Sequence, residues 1–233
     1  VRLKFLDLQG NPVSDLSPIR NARNLENLNL KNTLVSDISP LEALYELRIL
    51  SFEDDECFLN RFSRRDEFRI QDISSLSDKI KLEELNLNGH LIKSLDDIAK
   101  LTNLRELHVM KNHIDSLEPL RELLYLEKVV VSYNNISDLA PLFNKESLER
   151  VLASHNRIKD LTPLQGKSGL AFIDIGHNMV VDLSPVKELR NLKGLTITNN
   201  PLAKGYKKIL TELKRNTYSG GCFISEQDPE MYE

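Results

Sequence analysis

A leucine recurs every 22 residues through most of this 233-residue chain. The pattern L-x-x-L-x-L-x-x-N-x-I starts at Leu3, Leu25 and Leu47, and again at Leu82, Leu104, Leu126, Leu148, Leu170 and Leu192. From Leu82 onward every step is 22 residues, and the one irregular step, Leu47 to Leu82, is 35, one period plus 13. This period constrains the fold more than any other feature. A single 22-residue repeat holds too little apolar surface to close a core alone, so repeats are stable only when stacked, each covering the apolar face of its neighbour. The chain holds 41 leucines, spaced rather than clustered, and no apolar run approaches the roughly 20 residues of a membrane helix.

Within each repeat the alternation predicts a short strand. Its fourth and sixth positions point inward (Leu6 and Leu8, Leu28 and Leu30, Leu85 and Leu87), and its third and fifth point outward. The ninth position is Asn at 11, 112, 134, 156, 178 and 200, with Thr33, Asp55 and His90 in its place in three repeats. An amide both donates and accepts, so it can satisfy turn backbone groups that a sheet leaves unpaired. The repeats lacking it are expected to be less regular. The return stroke reads DLSPI at 15–19, DISPL at 37–41, DLAPL at 138–142, DLTPL at 160–164 and DLSPV at 182–186. Ser17, Ser39, Thr162 and Ser184, each followed by Pro, read as helix N-caps ahead of a first-turn proline. That predicts a single 3₁₀ or helical turn on the far side. After Leu202, the segment 203–215 carries Tyr206, Ile209, Leu210 and Leu213 at helical spacing, predicting a helix that caps the last repeat's core.

The repeat resembles the leucine-rich repeats. Its 22-residue length and D(L/I)SPL return are similar to the subclass shared by the internalins and the leucine-rich-repeat regulatory subunit of protein phosphatase 1. The resemblance covers residues 1–202. It implies an α/β fold, a right-handed leucine-rich-repeat solenoid with about nine parallel strands on a concave sheet and short 3₁₀ or helical segments on the convex side. Residues 1–202 then form the repeat domain, with a 13-residue insertion within 54–70, and residues 203–233 a C-terminal cap helix and acidic tail.

Composition removes several function classes. The chain has 31 basic and 35 acidic residues, and Glu226, Asp228, Glu230 and Glu233 lie in a tail without any base, so the remainder is balanced overall. A nucleic-acid partner is not expected without a basic excess, nor is long-range steering by a field of one sign. No P-loop, G-x-S-x-G, H-E-x-x-H or dinucleotide-binding glycine pattern occurs, so neither an enzyme nor a cofactor is expected. His155 and His177 share the position before the Asn in adjacent repeats, about 5 Å apart by strand spacing. With Asp174 they are the one metal-site alternative; the preferred reading leaves them as surface residues, with no metal. Cys57 and Cys222 are six or seven repeats apart, roughly 30 Å, far beyond the 7 Å or so a disulfide spans, so no bridge is expected. The insertion, with Phe58, Phe62 and Phe68 among Arg61, Arg64, Arg65 and Arg69, reads as a rim helix packed on the repeats; the alternative is a contact with a partner or an anionic surface.

The outward strand positions single out a candidate site. The first repeats carry polar residues there, Asp7, Gln9, Asn29 and Lys31. Later repeats instead carry Met110, Val130, Leu152 and Phe172, with Tyr133 at the edge and Glu106, Lys128, Arg150 and Asp174 around them. Side chains on neighbouring strands are predicted to merge into one apolar patch with a charged rim, as interaction sites do. The candidate partner-binding residues are Met110, Val130, Tyr133, Leu152, His155, Phe172, Asp174 and His177. The expected function is a non-enzymatic protein-interaction scaffold, monomeric alone, that binds a protein on its concave face as a cytoplasmic regulatory or adaptor protein. The alternative is an internalin-like bacterial surface or secreted factor that binds a host protein; residue 1 is Val rather than Met, so a removed leader is compatible with it.

Overall fold

Burial follows the leucine spacing. Leu25, Leu28 and Leu30, like Leu104, Leu107 and Val109 or Leu170, Ile173 and Ile175, are all buried. The computed structural model describes residues 2–53, 65–217 and 223–225, and the chain divides into two halves, Val1–Ile114 and Asp115–Glu233. The first half carries β1 (Phe5–Asp7), β2 (Asn27–Asn29), β3 (Ile49–Ser51), β4 (Glu84–Asn86) and β5 (Glu106–His108). All are parallel, with Leu6, Leu28, Leu50, Leu85 and Leu107 in one register row. The second half carries β6 (Lys128–Val130), β7 (Arg150–Leu152), β8 (Phe172–Asp174), β9 (Gly194–Thr196), helix α1 (Tyr206–Asn216) and β10 (Phe223–Ser225). Here Val129, Val151, Ile173, Leu195 and Ile224 share a row.

Three details depart from the sequence expectations. β10 lies beyond the last leucine motif, and it adds a tenth strand to the nine repeat strands by pairing with β9. Leu6 and Leu8 are only half-buried, and Leu3 and Phe5 are exposed, because β1 is flanked only by β2 among the described residues. The Ile position of the third repeat, where continuous counting puts Cys57, is filled by the fully buried Ile70, whose carbonyl accepts from the Leu91 N–H at 3.0 Å. The extra residues of that repeat therefore fall between Phe52 and Ile70. Of the insertion, a 3₁₀ turn at Arg65–Phe68 is described, with Phe68 half-buried. Cys57, Cys222, Phe58, Phe62, Arg61, Arg64 and the acidic segment 226–233 lie outside the described residues.

At Asn112, Asn156, Asn178, Asn200 and His90 the ninth-position side chain joins its repeat to the one before it. Asn156 Nδ2 donates to Val131 O (2.9 Å) of the preceding strand and to Ala153 O (3.1 Å) of its own, while its Oδ1 accepts from Ile136 N (2.9 Å). Asn112, Asn178 and Asn200 repeat this arrangement. Thr33, shorter and with one donor, reaches only Leu30 O at 2.9 Å. His90 performs the asparagine's task with a ring. Its Nδ1 accepts from Ile70 N (3.3 Å) and its Nε2 lies 2.7 Å from Phe52 O, so the neutral tautomer with the proton on Nε2 satisfies both backbone groups. Burial holds this imidazole at a pKa of about 4, opposed by the Phe52 carbonyl and reinforced by the Arg69 charge.

The return turns are capped differently from the sequence expectation. Ser17, Ser39, Thr162 and Ser184 are the first residues of their 3₁₀ turns, and Pro is the second. The capping acceptor is the Asp two residues earlier: Asp15, Asp37, Asp160 and Asp182 each accept the N–H of that first residue at 2.8–2.9 Å. A carboxylate is a stronger acceptor than a hydroxyl, and hydrogen bonds to Ser17 and Ser184 hold Asp15 and Asp182 below the usual carboxylate range.

Three lysines occupy an interior position. Leu44, Leu101, Leu123 and Leu189 fill the site three residues before the motif leucine, but Lys79, Lys145 and Lys167 stand there in other repeats and are buried. Each ammonium donates to the carbonyl that ends the preceding repeat's 3₁₀ turn: Lys79 to Glu42 O (2.6 Å), Lys145 to Arg121 O (2.8 Å) and Lys167 to Phe143 O (2.7 Å). A cation suits the carbonyl end of a helical turn, but desolvation pushes all three pKa values down, that of Lys145 to about 8.

Two consequences are measurable. His90 is neutral in the fold and titrates at an ordinary 6.5 when unfolded, so its stability contribution is full above pH 6.5 and is lost as pH falls toward 4. The loss amounts to about 3 kcal/mol. His90→Asn should fold normally and flatten the urea-unfolding free energy across that window; an unchanged acid slope would contradict the assignment. For Lys145 the unfolded chain binds more protons between pH 8 and 10.5, so this group's contribution grows as pH rises through that window. Lys145→Leu should remove that slope and raise stability at pH 7 by about 1–2 kcal/mol, read by the same titration.

Candidate protein-interaction site

The eighth position of the repeat controls the exposed edge of the sheet. The chain leaves the strand and must turn the ninth side chain inward, and the residue between adopts a left-handed conformation. Its φ is +73° at Gly10, +53° at Asn32, +82° at Gly89 and +55° at Lys111, and +58°, +54°, +56° and +52° at Tyr133, His155, His177 and Asn199. Glycine and asparagine tolerate this region, whereas tyrosine and histidine adopt it at a cost of about 1–2 kcal/mol each. The second half nevertheless sets a tyrosine and two histidines there in succession.

Their rings stack. Tyr133 and His155 lie 4.0 Å apart between centroids and His155 and His177 3.9 Å, each pair inclined by 13°. The Asn199 amide continues the row, with Nδ2 at 3.0 and 3.2 Å from the His177 ring nitrogens. Backbone bonds hold the spacing: Tyr133 N to Ser154 O (2.9 Å), His155 N to Gly176 O (2.9 Å) and His177 N to Thr198 O (2.7 Å). Tyr133 is 46% exposed, His177 is exposed and His155 is half-buried. The seventh positions beside this ladder are small, Ser132, Ser154, Gly176 and Thr198. A side chain on Gly176 would come within 2.8 Å of Thr198 Oγ1. Asp174 is engaged with its own turn, Oδ1 accepting from Gly176 N at 3.0 Å.

The strand positions are less uniform than the predicted patch. Val130 stands opposite Leu152 and is only 7% exposed, while Leu152 is half-buried and faces Asp174 on the next strand. Phe172 stands opposite Arg150, whose guanidinium lies 4.5 Å over the ring. The ring reaches across to Gly194, where an added Cβ would sit 3.0 Å from Phe172 Cδ1. Glycine at that strand position is what lets the phenylalanine lie down. Met110 belongs to the first half, where it is half-buried and its N–H donates to Asn88 Oδ1 at 2.7 Å. Of the predicted residues, the second half thus brings together Val130, Tyr133, Leu152, His155, Phe172, Asp174 and His177. Asn199 and Gly194 escaped sequence reasoning, although the shared eighth position that paired the histidines also points to Asn199. The corresponding face of the first half is polar, with Lys31, Ser51, Glu84, Asn86, Glu106 and His108 around a depression of about 140 Å³.

The stacked geometry also bears on metal binding. Face-to-face imidazoles present π-surfaces to each other, not converging lone pairs, and among the described residues no group of three or more His, Cys, Asp or Glu side chains is arranged to hold an ion. Burial, and then the neighbouring His177, hold His155 below the ordinary imidazole range, with Asp174 opposing them.

Residues 1–43 and 80–122 match the family model for leucine-rich repeats in two copies. The chain is a leucine-rich repeat protein. Its repeats are of the internalin-like subclass. Internalin C2 of Listeria monocytogenes is similar to it at 25% identity and a TM-score of 0.72, over 83% of this chain and 80% of that one. A second internalin of that organism, inlF, is 26% identical with a TM-score of 0.73, over 97% of this chain and 80% of its own. A Leptospira interrogans leucine-rich repeat protein shares the fold at 22% identity and a TM-score of 0.74, over 94% of this chain and 59% of that one. No curated protein shows a significant match. The leucine-rich repeat is a scaffold for protein interaction, and among the described residues no helix is long and apolar enough to cross a membrane.

The ladder makes a spectroscopic prediction. In a His177→Ala variant His155 loses both part of its burial and a neighbouring charge, so its pKa should rise toward the ordinary imidazole value. A titration of the His155 ring signals by NMR checks this; an unmoved pKa would show that the two rings do not stack in solution.

Proposed function

We propose that this leucine-rich repeat protein is a non-enzymatic scaffold that binds a protein partner through the exposed face of its second half. The observation that carries the reading is the Tyr133–His155–His177 ladder on left-handed backbone positions. The left-handed position itself recurs along the repeats and is filled by Gly10, Asn32, Gly89, Lys111 and Asn199 elsewhere, so the fold does not call for three successive rings there. The stack fixes ring orientations before any partner arrives, so little side-chain freedom is lost on binding. Phe172 under Arg150 supplies an aromatic and an arginine, residue types that dominate interface energies.

Two biological settings fit this chemistry. An intracellular regulatory or adaptor role follows from the resemblance of the repeats to the phosphatase subunit. An internalin-like bacterial surface or secreted factor gripping a host protein draws support from the likeness to two Listeria internalins. Fractionation of the source cells separates the settings.

Tyr133→Ala and Phe172→Ala test the site. Each should weaken capture of the partner by more than about 1–2 kcal/mol while Tm stays within a few degrees. Normal binding by both variants would place the site elsewhere.

A further inference from the structure

The overall charge balance conceals a separation along the chain. Residues 1–186 hold 23 basic and 29 acidic side chains, whereas residues 187–215 hold eight basic ones against Glu188 and Glu212. That stretch covers the last repeat and helix α1, all within the second half. Leu210 and Leu213 of α1 are buried and Tyr206 and Ile209 half-buried, so the helix turns its apolar stripe inward and leaves Lys207, Lys208, Lys214 and Arg215 exposed. Lys193 and Lys204 are exposed as well. Among the described residues, Lys193, Lys204, Lys207, Lys208 and Arg215 form no salt bridge.

We infer that this basic end is a docking surface for an acidic segment of the protein partner. The inference rests on the scaffold reading and adds an electrostatic contact to it. Complementary charge is the first reason: unpaired surface cations of one sign attract an oppositely charged surface and speed its arrival. Extent is the second. An 11-residue helix is about 16 Å long, which an extended segment of roughly five residues spans. A duplex or other long polyanion would run past this end onto the rest of the second half, where residues 115–186 hold 7 basic against 10 acidic side chains. A lipid surface is disfavoured because the outward face of α1 offers no apolar side chain to insert. The chain's own Glu226, Asp228, Glu230 and Glu233 have the right chemistry, but four carboxylates do not balance the net +6 of residues 187–215.

Fluorescence anisotropy of a labelled hexaglutamate peptide against the full chain at low ionic strength tests the inference. Binding should be weakened by salt and lose at least tenfold in a Lys204→Glu, Lys207→Glu, Lys208→Glu variant. The milder Gln triple variant, checked by circular dichroism, should also weaken it. Tyr133→Ala should leave hexaglutamate binding unchanged, so failure of the ladder site and failure of this surface are read separately. No binding to the full chain, or binding indifferent to the lysine changes, overturns the inference. So does binding that appears only when residues 226–233 are deleted, which assigns the surface to the chain's own tail. Tighter binding of phosphatidylserine vesicles or of an oligonucleotide than of the peptide also overturns it.

Discussion

The structure depends on the hydrogen bonds made by the ninth side chain of each repeat. A three-residue strand satisfies few backbone groups, and the turn that follows it is buried against the next repeat. An unsatisfied buried amide or carbonyl costs about 1–3 kcal/mol, so a stack of such turns is unstable without side chains that donate and accept at the same spot. Asn112, Asn156, Asn178 and Asn200 do both, and each reaches back to the preceding repeat. Turning that side chain inward forces the residue before it into a left-handed conformation and leaves it on the edge of the sheet. The ladder of Tyr133, His155 and His177 is thus a by-product of the asparagine row, which fixes where the rings stand, while the repeat spacing fixes how far apart they are.

Departures from the repeat are informative because the repeat states what each position requires. His90 shows that the ninth position needs one donor and one acceptor rather than an amide as such, and the ring supplies them at the cost of acid sensitivity. Lys79, Lys145 and Lys167 replace leucine at an interior position, keeping the packing with their methylene stems and directing the ammonium to a turn carbonyl. Gly194 is small where the neighbouring Phe172 needs space. Each departure trades some stability for a particular local arrangement.

The second half therefore combines three kinds of surface: a pre-stacked ring ladder, a phenylalanine covered by arginine, and a basic end beside the cap helix. The equivalent face of the first half is polar, and Glu53 illustrates its character. Burial raises that carboxyl's pKa, but the hydrogen bond from Lys31 and the lysine's charge outweigh burial and hold it below the usual range. Paired charges of this kind contribute little to recognition when both partners are already satisfied.

The sequence by itself determined the repeat, the strand positions and the inward row of leucines, because a 22-residue period admits only stacking and the alternation admits only one face for burial. It also placed the candidate residues on outward positions and paired His155 with His177. Tertiary structure decided what those residues touch. Hydrogen bonding made Asp15, Asp37, Asp160 and Asp182, rather than the Ser or Thr two residues later, the caps of their return turns. Pairing with β9 turned Phe223–Ser225 into a strand without a leucine motif to announce it. Side-chain directions buried Val130, laid Phe172 between Arg150 and Gly194, and brought Asn199 onto the histidine stack. A one-dimensional pattern specifies which face a side chain leaves from; its neighbours across the sheet, and the room they leave, exist only once the repeats are stacked.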